Sequence, residues 1–278
     1  MKTVTFILAV LVAAPGFLRS ADLNSPPPEA KEIQFNNGSA TLHGFIYQPA
    51  GDGPFPAVLY NHGSDKKPGW FPELAKFWNS HGFVFFVPHR QGHGRSAGDW
   101  IVDLQQQYRE KEKDPTAARK HDIELHEKAN EDVVAAVAWL RQQPYVNANA
   151  IVMSGISYGG IQTVLASEKE LGMKAYVPFS PGAMSWAGNP LLRERLLKSL
   201  KHATAPVFLL QAKNDYNLGP TELLGAELKH KGPPNRSTLY PAFGKADDPK
   251  DGHGGFAVRG STVWGDDVLK FVNAALAR

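Results

Sequence analysis

Residues 150–160 read Ala-Ile-Val-Met-Ser-Gly-Ile-Ser-Tyr-Gly-Gly, and the fold is decided there. Ala150 to Met153 is a short apolar, β-branched run of the kind that fills the middle of a parallel sheet, and Tyr158 to Ser167 then reads as a helix. Between them stands Gly155-Ile156-Ser157-Tyr158-Gly159, a G-x-S-x-G. A strand-to-helix turn this tight strains the backbone of the central serine and leaves no room for side chains two positions away. Glycine at both places removes the collision, exposes the Ser157 hydroxyl and lets the new helix aim its free N–H groups beside it. With 26 Gly in 278 residues the pattern arises by chance in roughly one such chain in eight, so its strand and helix context carries the weight.

Working outward toward the N-terminus, Ile33 to Phe35 and Ala40 to Tyr47 flank Asn36-Asn37-Gly38, a hairpin signal of alternating side chains about an Asn-Gly turn. After the loop Pro49 to Pro56, Ala57 to Tyr60 is a buried-strand run that stops at Asn61-His62-Gly63-Ser64. A helix follows over Phe71 to Asn79 and a strand over Phe83 to Pro88, leading into the glycine-rich His89-Arg90-Gln91-Gly92-His93-Gly94-Arg95-Ser96. The segment from Asp99 to His126 is longer than a crossover requires. Its run Gln105 to Lys113 is charged nearly all round and predicts a solvated helix, whereas Asp132 to Arg141 carries Val133, Val134, Ala136, Val137 and Leu140 on one stripe and should pack on the sheet. Residues 99–126 are therefore expected as a helical excursion or a lid.

Beyond Ser157 the alternation continues with strands at Ala175 to Phe179, Pro206 to Leu210 and Ser237 to Tyr240, and helices at Leu191 to Leu200, Thr221 to Lys229 and Val263 to Leu276. This is the mark of an α/β chain: a mostly parallel, doubly wound sheet of about eight strands, with an N-terminal antiparallel hairpin and flanking helices. One domain over residues 22–278 accounts for it, with no internal repeat.

The first residues differ in kind. Lys2 precedes an apolar run from Val4 to Leu18, too short for a comfortable membrane span, which reads as a signal peptide over 1–21 with cleavage after Gly16, Ser20 or Ala21. A secreted or periplasmic chain without a stable span is the expectation. Pro26, Pro27 and Pro28 mark residues 22–30 as an exposed leader. The absence of cysteine excludes disulfides, thiol nucleophiles and thiolate metal sites. A formal net charge of +3 leaves no electrostatic footprint for nucleic acid, and the oligomeric state stays open.

A serine hydroxyl needs a base within hydrogen-bond reach, and the base needs an orienting acid. Two loops supply them, Gln211-Ala212-Lys213-Asn214-Asp215-Tyr216 and Asp251-Gly252-His253-Gly254-Gly255, each following a predicted strand and so lying at the carboxyl edge where open α/β sheets place their sites. Asp248 and Asp251 are rival acids, and Asp215 could instead serve a turn or cap. For the oxyanion, one donor is expected from the N–H of Tyr158 and the second from the loop after Tyr60, where Ser64 N–H is the first choice and His62 and Asp65 its neighbours. His62 and His93 lack the i, i+4 partner that a helical zinc site would show, so neither a metal nor a cofactor is expected.

Together, Asn61-His62-Gly63, Arg90-Gln91-Gly92-His93-Gly94-Arg95-Ser96, Gly155-Ile156-Ser157-Tyr158-Gly159, Lys213-Asn214-Asp215 and Gly252-His253-Gly254 make the chain over 31–278 resemble the α/β-hydrolase superfamily and, within it, the dienelactone hydrolase-like group. The resemblance implies the α/β-hydrolase fold and acyl hydrolysis. Dienelactone hydrolases use cysteine as nucleophile where Ser157 stands here, so their substrate does not carry over. The expected reaction is cleavage of a small-molecule carboxylic ester: Ser157 attacks, His253 takes the proton, Asp215 holds the imidazole, and the N–H groups of Tyr158 and Ser64 hold the oxyanion. A peptidase of the prolyl oligopeptidase type and a non-catalytic hydrolase-like binding protein are the rival readings. Trp70, Phe71, Met184, Trp186 and Tyr216, with Tyr158, fall on loops at the same edge and are the candidates for the substrate pocket.

Overall fold

In the computed structural model, Pro27 and residues 29–278 are described, so the expected signal segment over 1–21 lies outside the described residues. Strands β1 (Lys31–Asn37) and β2 (Ala40–Tyr47) pair antiparallel with Asn37 opposite Ala40. The turn is therefore Gly38-Ser39, one residue later than the Asn-Gly reading, and Gly38 takes the left-handed φ of 56° that a tight hairpin demands. The leader is less exposed than expected where it is described: Ala30 N–H donates to the Pro27 carbonyl at 2.9 Å, and Ala30 packs on the core.

Strands β3 (Phe55–Asn61), β4 (Val84–His89), β5 (Val146–Ile156), β6 (Ala175–Phe179), β7 (Phe208–Ala212) and β8 (Arg236–Tyr240) complete an eight-stranded sheet in the order β1-β2-β4-β3-β5-β6-β7-β8. β2 joins β4 antiparallel, and every later pairing is parallel. Both faces are covered, which is why β4, β6 and β7 are buried along their whole length and read as continuous apolar runs. One face takes Val133, Val137 and Leu140 from α3 (Pro115–Arg141), Ile161 and Leu165 from α4 (Tyr158–Ser167), and Leu192 and Leu196 from α5 (Pro190–Lys201). The other takes Leu74 and Trp78 from α1 (Pro72–Ser80) and Trp264, Val268 and Val272 from a C-terminal helix at Ser261–Leu276. This is the α/β-hydrolase arrangement.

The excursion differs from its sequence reading. α2 (Ile101–Lys111) starts four residues before the run Gln105 to Lys113 and buries Ile101, and α3 is a single 27-residue helix that begins at Pro115, capped by Asp114 accepting from Thr116 N–H at 2.8 Å. The crossover helix thus contains the second arm of the excursion. Its buried stripe runs Ala118, Asp122, His126, Asn130 before it becomes Val133, Val137, Leu140. The polar half hides from a search for apolar periodicity, although its i, i+4 spacing is equally regular. Among the described residues no helix is long and apolar enough to cross a membrane.

Candidate active site

Between β5, which ends at Ile156, and α4, which begins at Tyr158, the chain turns on one residue. Ser157 adopts φ 58° and ψ −115°, a region that costs a non-glycine residue about 1–3 kcal/mol. Its surroundings enforce this. Ser157 N–H donates to the Phe179 carbonyl at 3.1 Å, and the Ser157 carbonyl accepts from Ile161 N–H at 2.9 Å and Gly182 N–H at 3.2 Å. A Cβ at Gly155 would lie 2.5 Å from the Gly159 carbonyl oxygen, and one at Gly159 would overlap the Asn61 carbonyl. The flanking glycines therefore permit the end of β3 to touch the start of α4.

Next to Ser157 runs the loop 62–69, and the glycine-rich loop after β4 clamps it by its carbonyls. Arg90 Nη2 donates to the His62 and Gly63 carbonyls at 2.7 and 3.0 Å, and Trp100 Nε1 to the Ser64 carbonyl at 2.8 Å. His93 Nδ1–H reaches the Asp65 carbonyl at 2.8 Å, Gly94 N–H the Lys66 carbonyl at 2.8 Å, and His89 Nε2–H the Gly69 carbonyl at 2.9 Å. The carbonyls of residues 62–66 are thus drawn toward β4, and Gly63 sits against the Ser157 side chain. Tyr158 is the first residue of α4, so its N–H is among those a helix leaves without an internal acceptor.

The clamp is electrostatically unusual. Arg90 is 1% exposed, and its Nε and Nη1 have no hydrogen-bond partner among the described residues. Its guanidinium lies 4.3 Å from the centre of the Tyr158 ring, an attraction that partly replaces lost water. Burial, then the nearby Arg90 charge, drives His62 well below the ordinary histidine value, pulls His93 down to about 3 and His126 down to about 3. Burial also lowers His89 to about 4. These imidazoles are neutral at neutral pH, so His62 can donate from Nδ1 to the Gly63 carbonyl at 2.7 Å while accepting Arg90 N–H at Nε2.

Two strands further along the sheet, Asp215 and His253 come together. Asp215 Oδ1 accepts from His253 Nδ1–H at 2.8 Å and from Tyr216 N–H at 2.6 Å, while Oδ2 accepts from Gln211 Nε2 at 2.9 Å. The His253 side chain is 8% exposed and that of Asp215 0%. Nε2 of His253 is buried without a hydrogen-bond partner among the described residues. Asn214 ties the two loops: its Nδ2 donates to the Phe243 and Lys245 carbonyls at 2.9 and 3.0 Å, and its Oδ1 accepts from Phe243 N–H at 2.9 Å. The rival acids are engaged elsewhere. Asp251 binds Arg259 and the Lys245 N–H, and Asp248 accepts from Lys250 N–H at 2.9 Å.

A cavity of about 180 Å³ opens beside Ser157, and Ser64, Tyr158 and, from α3, Asp122 and His126 are among the residues that line it. Ile101 and Val102 of α2 form part of its wall, so the excursion flanks the candidate site directly. Of the expected pocket residues, Tyr158 and Met184 line the cavity. Trp186 does not: at 4% exposure it fills the core, its indole pressed against Gly219. Trp70 and Phe71 pack on the other core, against Phe45 and Tyr60. Tyr216 is 39% exposed, and its ring stands edge-on to His253. Large aromatic side chains here gain more by filling the sheet's face than by lining a cleft. Arg90, Asp122 and His126 were invisible as site residues in the sequence; the one signal for Arg90 was its place in the glycine-rich loop.

A profile of the family described as X-Pro dipeptidyl-peptidase (S15 family) matches residues 38–205, more than half of the chain; the match includes Ser157 and stops short of Asp215 and His253. The polyketide transferase grgF of Penicillium sp is 25% identical over 196 residues, 68% of this chain; the chain spans 59% of the length of that curated relative. Among solved structures, the Pyrococcus horikoshii acylaminoacyl peptidase superposes with a TM-score of 0.59 at 18% identity, over 76% of this chain and 37% of that one. The Pyrococcus furiosus esterase Pf2001 superposes with a TM-score of 0.64 at 16% identity, over 88% and 91% of the two chains.

Proposed function

The chain belongs to the X-Pro dipeptidyl-peptidase (S15) family, and from that premise we propose that it is a serine hydrolase acting on carboxylic esters, secreted or periplasmic, with Ser157, His253 and Asp215 as its triad. The observation that carries this reading is the buried Asp215–His253 hydrogen bond of 2.8 Å. It leaves Nε2 unpartnered at the same sheet edge as the strained Ser157. In the proposed reaction the Ser157 hydroxyl adds to the ester carbonyl as His253 Nε2 takes its proton, and Asp215 holds the imidazole with Nδ1 protonated. The oxyanion is received by the N–H groups of Tyr158 and Ser64. His253 returns the proton to the departing alcohol, and water, activated by the same nitrogen, releases the acid.

A peptidase is the second reading, favoured by the printed description of the family. Recognition of a free peptide N-terminus calls for an acidic group that still has a charge to offer. The carboxylate that lines the cavity, Asp122, is paired to Arg109 at 2.7 Å. The ester reading is preferred for that reason. Aryl esters graded by acyl length, assayed beside X-Pro nitroanilides, separate the two: hydrolysis of esters alone, lost by about three or more powers of ten in Ser157→Ala, is expected. Full activity in Ser157→Ala, or turnover of the anilides alone, refutes the ester assignment.

A further inference from the structure

The cavity beside Ser157 has a defined sense. In acyl transfer the histidine that protonates the leaving group must face it, so the leaving group lies on the His253 side of the nucleophile. His253 takes no part in lining the cavity, whereas Ser157, Tyr158 and Ser64 do. It therefore receives the acyl part. Ile101, Val102, Ile161 and Leu192 give it apolar wall, and Asp122 and His126 add two polar side chains to the lining.

Both of these side chains carry an unsatisfied group. Asp122 and His126 stand one turn apart on α3 and are 8% and 6% exposed. Asp122 Oδ2 accepts from Arg109 Nη2 at 2.7 Å, but Asp122 Oδ1 and His126 Nδ1 are buried without a hydrogen-bond partner among the described residues. Each such group is costly while it stays unpaired, because it has given up water without gaining a partner. The His126 ring packs against Tyr158, centroids 5.1 Å apart, and the backbone there is held by the His126 carbonyl, which accepts from Gln162 Nε2. A second cavity of about 510 Å³ shares Arg109, Asp122, Met184, Ser185 and Asn189 with the first, leaving room for a longer chain.

The donor set selects the ligand chemistry. Arg109 already balances the Asp122 charge, so an ammonium would add an uncompensated charge to a mostly apolar cavity. A keto or ether oxygen could not donate to Asp122. A hydroxyl can donate to Asp122 Oδ1 and accept from a protonated Nδ1 of neutral His126 at once. We propose that Asp122 and His126 form a hydroxyl-binding subsite in the wall of the acyl cavity, so that the preferred ester carries a hydroxylated acyl chain. This rests on the ester-hydrolase reading and sharpens its substrate class.

The test compares methyl hexanoate, methyl β-hydroxyhexanoate, methyl ω-hydroxyhexanoate and methyl ω-aminohexanoate by pH-stat, using the whole chain. At least one hydroxy ester is expected to exceed methyl hexanoate about tenfold or more in kcat/KM, because a site built to bond a hydroxyl discriminates against the analogue lacking it. In Asp122→Leu and in His126→Phe, which keeps a ring against Tyr158, that ratio is expected to fall toward one. A ratio between substrates is insensitive to the fraction of enzyme that folds. Equal rates for hexanoate and both hydroxy esters in the parent enzyme, a preference for the amino ester, or an unchanged ratio in both variants overturns the subsite. Ser157-dependent hydrolysis of methyl hexanoate without hydroxyl preference would overturn the subsite alone; no hydrolysis of any ester would overturn the ester reading with it.

Discussion

The two halves of the candidate site are built on different physics. Around Ser157, position is fixed by close approach of backbones and by a buried group of neutral imidazoles gathered about one guanidinium. Around Asp215 and His253, position is fixed by a carboxylate with three donors and by an asparagine that ties two loops through their carbonyls. The nucleophile side is sterically over-determined and electrostatically strained. The acid–base side has its carboxylate well satisfied and leaves one polar atom, His253 Nε2, unpartnered, while Gly252 fits closely against Asn214. Substitution and acid should therefore separate them.

The largest expected effect falls on chemistry alone. Asp215→Asn keeps the shape of the side chain but offers an amide to Gln211 and removes the anion that fixes the imidazole tautomer, so kcat should fall by about three to four powers of ten. A melting temperature within a few degrees of the parent is expected, since the loops remain tied through Asn214; wholesale unfolding would show that the acid–base side is not independently held.

Acid should act first on the nucleophile side. His89, His93 and His126 have folded values lowered to about 4, 3 and 3, below the ordinary 6.5 that applies once unfolded. The unfolded chain binds the extra protons, so stability is present above about 6.5 and is lost as the pH falls toward the folded values. Between pH 7 and 5 each contributes up to about 2 kcal/mol of destabilisation, and their sum should be a few kcal/mol. Urea midpoints at the two pH values measure it; equal midpoints would mean that these imidazoles are wet.

Gly159→Ala tests the steric side directly. A methyl group there overlaps the Asn61 carbonyl, and the backbone shift needed to relieve it should cost about 1–3 kcal/mol and carry the nucleophile with it. Thermal unfolding and kcat should both worsen. A variant as stable and as active as the parent would show that the contact between β3 and α4 is loose. Smallest of all should be Arg259→Ala, which removes the exposed partner of Asp251 and should alter kcat/KM by less than about twofold.

The meeting of Asp215 and His253 was legible in the sequence because it rests on chain order: a strand, then Asp215; a strand, then His253. The elbow was legible for the opposite reason, since glycine on both sides of a serine states a steric requirement outright. What stayed hidden is packing between distant segments. Nothing in the spacing of Arg90 tells that its guanidinium would lie beneath Tyr158, because the two meet only after β4 and β5 take places on either side of β3. Trp186 was misplaced because a loop position predicts surface, while the groove between α5 and the turn near Gly219 offers an indole-sized space in the core. The beginning of α3 was missed because Asp122, His126 and Asn130 look solvated in sequence and are buried in the fold.

That helix has a mechanical consequence. At 1.5 Å per residue its 27 residues make a rod about 40 Å long, anchored through Val133, Val137 and Leu140 at one end and bearing Asp122 and His126 toward the other. A rod transmits rotation. A substitution that rolls the anchored end by a few degrees to accommodate a larger core residue swings both polar side chains at once, whereas α2, joined to α3 through Glu112, Lys113 and Asp114, can shift without disturbing the sheet. Changes in what the enzyme accepts should therefore come readily from α2, and changes on the inner stripe of α3 should carry a stability penalty with them.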